Sequence, residues 1–105
     1  MRVYRIEDIN GIGPYAGYEF NGCGGHHPTP DEEGFPDVCS DDYFGFDSLF
    51  QLCKWFGPVA RQRLATLKYE VAVYDVEDQD ITGQSPYQVM FKKRNANIKS
   101  RMQLR

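Results

Sequence analysis

The run from Phe46 to Val76, "FDSLFQLCKWFGPVARQRLATLKYEVAVYDV", constrains the fold more than any other part of this chain. Asp47 or Ser48 supplies a helix N-cap, and Leu49, Leu52, Cys53 and Phe56 follow at helical spacing. Gly57 and Pro58 then end one helix and open another, because proline has no N–H to lose at the first helical position. In the second helix Val59, Leu64 and Leu67 point inward while Arg61, Arg63 and Lys68 point outward. "YEVAVYDV" (69–76) abandons the helical period for β-branched and aromatic residues and reads as a strand. Helical and strand faces must therefore be buried together, which calls for α+β architecture.

The rest of the chain supplies strands and one long connection. "RVYRIE" (2–7) alternates Val3 and Arg5 on one face with Tyr4 and Ile6 on the other. "NGIGPY" (10–15) breaks that strand with two glycines and a proline. No period is sustained from Tyr15 to Tyr43, a length of loop that is uncommon in a compact domain unless it is functional. The acids after Val76 and "ITGQSP" make a turn region, and "YQVMFK" (87–92) reads as a final strand. The expected fold is a small, mostly antiparallel sheet with one or two helices on one face and a long ordered or semi-ordered loop. Residues 1–105 fit one domain, with 94–105 expected as a basic C-terminal tail.

Charge is divided along the chain. Residues 1–53 hold ten acids against Arg2 and Arg5, a net −8, whereas 54–105 hold ten bases against five acids, a net +5. Such asymmetry suggests an acidic binding face or an interaction tail. The last fifteen residues carry six bases and no acid, but with one aromatic beside an acidic remainder they make a poor nucleic-acid surface. No apolar run reaches the roughly 20 residues a membrane span needs, and "MRVYRIEDING" has no apolar secretory core. A cytoplasmic protein is expected. The three cysteines are an odd number with no CxxC pair, unlike the even counts of a disulfide framework; Cys53 falls on the apolar helical pattern and is expected as a buried thiol, while Cys23 and Cys39 lie in polar surroundings and stay open.

"NGCGGHHPTPDEEG" (21–34) concentrates the candidate chemistry. Cys23, His26 or His27 and a carboxylate from Asp31, Glu32 or Glu33 are zinc-ligand types. Their spacing matches no established motif, adjacent histidines diverge on extended backbone, and flexible glycine flanks disfavour preorganisation, so no metal is expected. Pro28 and Pro30 bias the residues before them toward extended backbone, which stiffens the loop and can present His27 and Asp31 to a partner. Aromatic anchors for such an interface are Tyr15, Tyr18, Phe20, Phe35 and Tyr43. Asp31, Glu32, Glu33, Asp41 and Asp42 would steer a basic partner toward them. A GxSxG nucleophile and a phosphate-cradling Lys-Ser or Lys-Thr are both absent from the sequence.

"VYRIEDINGIGPY", "HPTPDEEG", "FGFDSLFQLCKWF" and "VAVYDV…YQVMFKK" resemble segments of small uncharacterised phage and prophage proteins. That resemblance spans nearly the whole chain and implies a phage accessory protein that binds and modulates or inhibits a host bacterial protein, including defence systems, without a cofactor. A fainter resemblance runs to ADP-ribosyltransferase-like folds. It implies a small or degenerate enzyme using NAD, with Arg5, His27 and Gln88 around a pocket and the aromatic segment 43–46 beside the nicotinamide. Gln88 then stands where that family has a carboxylate.

Overall fold

The computed structural model describes residues 1–14, 34–35 and 41–104. Its elements are β1 (Arg2–Glu7), β2 (Asp42–Gly45), α1 (Leu49–Trp55), α2 (Pro58–Thr66), β3 (Glu70–Asp75), β4 (Ile81–Gln84), β5 (Val89–Lys92) and β6 (Asn97–Gln103). They form two antiparallel three-stranded sheets, ordered β1-β3-β6 and β2-β5-β4. The α+β class expected from the periodicities is what the chain adopts, with two small sheets in place of one.

The helix pair forms for the anticipated reasons. Ser48 caps α1 by accepting the Gln51 N–H at 3.1 Å, and Gly57 precedes Pro58 at the start of α2. The end of α2 is a Schellman motif: Tyr69 N–H donates to Leu64 O at 3.0 Å, and Lys68 N–H to Ala65 O at 3.1 Å. Lys68 therefore adopts φ 71°, a left-handed conformation that glycine occupies at less cost.

The β1-β3-β6 sheet is the middle layer. Alternation along β1 and β3 sends Ile6, Val71 and Val73 toward Leu52, Phe56, Ala60 and Leu64 of the helices. Val3, Ala72 and Tyr74 face the other way, onto Val89 and Phe91 of the second sheet. The two sheets meet closely where Tyr4 and Phe46 exchange reciprocal backbone hydrogen bonds of 2.8 Å. Gly45 makes this approach possible, since a Cβ there would stand 2.5 Å from Val3 Cγ1 and 2.9 Å from the Tyr4 carbonyl oxygen.

Several expectations are corrected. Residues 97–103 form β6 rather than a basic tail, and Ile81–Gln84 form β4 rather than a turn. Asp42–Gly45, overlapping the end of the stretch without a period, form β2. Cys53 is exposed, as are Leu49 and Val59; the buried stripe of the helices runs instead through Leu52, Phe56, Ala60 and Leu64. Phe35, expected as an exposed anchor, is buried and packs edge-on to Phe44 with centroids 5.5 Å apart.

Candidate functional site

On the inter-sheet face of β1, two residues along from Arg5, lies Glu7, whose side chain has no solvent exposure. An isolated carboxylate in such a place would lose its charge. Here it is surrounded by donors. Oε2 receives Arg5 Nε at 3.0 Å and faces Lys93 Nζ at 3.3 Å; Oε1 receives Arg101 Nη2 at 2.7 Å and the Tyr74 hydroxyl at 2.6 Å. Burial, followed by the hydrogen bond to Glu7, pushes the Tyr74 hydroxyl pKa well above 10.0, so Tyr74 is a firm proton donor to the carboxylate. Three cations share one fully buried negative charge, with Glu70 offering Arg101 a second, longer contact of 3.5 Å.

The same cluster fixes the glycine loop after β1. Lys93 Nζ donates to Gly11 O at 2.9 Å and Arg101 Nη1 to Asp8 O at 3.2 Å. Asp8 Oδ1 accepts the Asn10 and Ile12 N–H groups at 2.8 and 3.0 Å. A short, internally bonded turn is thereby clamped over the charges.

Beside it opens a cleft of about 530 Å³ whose wall includes Arg5, Ile12, Gly13, Pro14, Asp42, Tyr43, Phe44, Phe46, Trp55 and Gln88. The wall is aromatic and held by ring contacts: Phe46 lies 5.8 Å from Trp55 and 6.1 Å from Phe56 by centroid. The guanidinium of Arg5 stands 4.9 Å and the ammonium of Lys93 5.0 Å from the Tyr43 ring centroid, distances at which cation–π attraction operates. Apolar walls with a few fixed polar groups are the usual make-up of a ligand pocket.

Of the residues singled out in the sequence, Arg5 and Gln88 meet in this cleft, joined by Asp42 and Tyr43. The Asp42 side chain is 2% exposed and ion-paired to Lys92 at 2.8 Å, and Thr82 Oγ1 donates to it at 3.1 Å. Asp41 pairs with Lys92 at 2.9 Å and with Arg94 at 3.5 Å. The Lys92 hydrogen bond lowers the Asp41 pKa below 3.8, and the bonds to Asp41 and Asp42 raise that of Lys92. These two carboxylates thus hold β2 against β5. Tyr15, His27, Asp31, Glu32 and Glu33 lie outside the described residues, as do Tyr18, Phe20, Cys23 and His26. Sequence reasoning missed Glu7, Tyr74, Lys93 and Arg101. One signal was present: in "RVYRIE" the period of two puts Arg5 and Glu7, opposite charges, on the same face as Val3.

Over residues 1–105 the sequence matches the family described as Bacteriophage T4 Y00F protein. The chain belongs to that family. A relative from Enterobacteria phage T4, an uncharacterized 19.7 kDa protein in the motB-dexA intergenic region, is 41% identical over 58 residues. That match takes in 54% of this chain and 34% of the relative, so the chain spans about a third of the length of the protein it resembles. No solved structure matches. Among the described residues of this Y00F-family chain, no helix is long and apolar enough to cross a membrane.

Proposed function

We propose that this phage protein is an accessory factor that binds and modulates a host bacterial protein in the bacterial cytoplasm, with the aromatic cleft as its docking point. The supporting observation is the cleft's apolar mouth. Ile12 lines it and is 45% exposed, and Ile9 on the same turn is 83% exposed. Apolar side chains held out beside an aromatic pocket are costly to leave in water and mark contact surfaces. Pro14, Asp42 and Tyr43 also line the cleft. In this reading the acidic, proline-bearing sequence that follows Pro14, with Tyr15, His27, Asp31, Glu32 and Glu33, contributes to partner binding through its charge. Incubation of immobilised protein with host lysate at low and high salt tests this reading. A specific host protein should be retained by the wild type and lost with Ile12→Asp, whose folded circular dichroism spectrum is unchanged. Absence of a partner at either ionic strength would overturn it.

A second reading draws on Arg5 and Gln88 lining one cleft. In it the chain is a small or degenerate NAD-using transferase of the ADP-ribosyltransferase kind, with Arg5 holding the dinucleotide. Labelled NAD and lysate should then give label transfer that Arg5→Ala abolishes. No transfer by the wild type removes this reading.

A further inference from the structure

Arg5 is held at only part of its guanidinium. Nε is committed to Glu7 at 3.0 Å and Nη1 to the Phe44 carbonyl oxygen at 2.9 Å, while Nη2 makes no hydrogen bond to the described residues. The side chain is 12% exposed, and it lines the cleft. Gly13 leaves room for Nη2 on its own side, because a Cβ at that position would stand 2.9 Å from it.

We propose that the cleft receives an extended protein segment presenting a carboxylate next to an apolar side chain, with Arg5 Nη2 as the donor to the carboxylate. This rests on the protein-binding reading above and names the chemistry of its anchor. Arginine remains charged at any working pH and offers donors in a planar fork that matches a carboxylate. Its positive charge is not used up by Glu7, because that single carboxylate is shared with Lys93 and Arg101. Asp42, the acid among the described residues of the cleft wall, is ion-paired to Lys92, which weakens its repulsion of an incoming anion. Tyr43, Phe44, Phe46 and Trp55 supply the surface for the apolar neighbour. Inside such walls a charge-assisted hydrogen bond is stronger than in water. A volume of about 530 Å³ accommodates one or two side chains and not a folded domain.

The probe is a phenylalanyl-aspartyl dipeptide blocked at both ends, compared with its asparaginyl counterpart of the same shape. Trp55 is the only tryptophan in the chain and sits in the cleft wall, so its fluorescence reads occupancy; amide and Arg5 Nε NMR shifts give the location. The aspartyl peptide should bind roughly ten-fold more tightly than the asparaginyl one, the loss expected for one hydrogen bond to a charged group. Gly13→Ala, which crowds Nη2 of Arg5 and does not alter the Lys93, Arg101 and Tyr74 contacts to Glu7, should remove that preference. Ile12→Glu, an exposed change that offers the cleft a carboxylate of its own, should do the same. Equal binding of the two peptides overturns the anionic anchor while leaving host-protein capture to be judged by its own experiment. Failure of the aspartyl peptide to bind at about 10 mM overturns the proposal, as does a preference that survives either substitution.

Discussion

Glu7 carries the sharpest consequences at the scale of single residues. A buried carboxylate among three cations is stable as a set and expensive to dismantle, since removing one member leaves like charges facing each other in a medium of low dielectric. Glu7→Gln keeps the shape and removes the charge, and it should destabilise the fold by about 3 kcal/mol in urea unfolding. Tyr74→Phe removes one donor to that carboxylate and should cost about 2 kcal/mol. Tyr74 also gives an alkaline signature. Its folded pKa lies above the unfolded 10.0, so between the two values the folded protein binds more protons than the unfolded chain, and stability falls as pH rises above 10.0. Comparing the wild type with Tyr74→Phe from pH 9 to 11 checks the sign: the wild type should lose stability more steeply. An identical slope would show that Tyr74 is not the titrating group.

At the scale of elements, legibility followed the source of each element's stability. The two helices could be read because a capping serine, a Gly-Pro junction and a 3.6-residue period are all local. β1, β3 and β5 were visible through β-branched and aromatic content. β6 was not: "NIKSRMQ" is exposed along most of its length, and what holds it is pairing with β3 and the contacts of Arg101 to Glu7 and Asp8, made by residues more than ninety positions away in sequence. β2 and β4 are four residues each, too short to show alternation. The candidate site divides the same way. Arg5, Asp42, Tyr43 and Gln88 were marked by residue type, whereas Lys93 and Arg101 join the site only through tertiary pairing. The turn after α2 gives this scale its prediction. Lys68 sits at φ 71° in the Schellman motif, so Lys68→Gly relieves a left-handed conformation and should stabilise the protein by about 1 kcal/mol, read as a raised urea midpoint with unchanged slope. A lowered midpoint would mean that the lysine side chain makes a compensating contact.

For the whole molecule, the division of charge along the chain acquires a structural meaning. Acids of the first half (Glu7, Asp41 and Asp42) pair with bases of the second (Lys92, Lys93, Arg94 and Arg101). The described bases of the C-terminal stretch are thus paired with acids of the fold. Asp41 adds an acid-side signature: its folded pKa lies below 3.8, so its contribution is present above that value and is lost as pH falls through the folded pKa. Acid unfolding should therefore begin at higher pH in Lys92→Met than in the wild type. The decisive measurement concerns the C-terminal strand. A tail can be cut away without touching the core, but β6 covers one edge of β3 and brings Arg101 to Glu7. Leu104, just beyond it, is 6% exposed among Leu52, Phe56 and Leu64. Deleting residues 97–105 removes a strand, a core leucine and one of the three cations around the buried Glu7 carboxylate. The shortened chain should lose its cooperative thermal transition and bind a hydrophobic dye at 25 °C. A sharp melt within a few degrees of the full chain would mean that β6 is dispensable and that Glu7 is held by Arg5, Lys93 and Tyr74 alone.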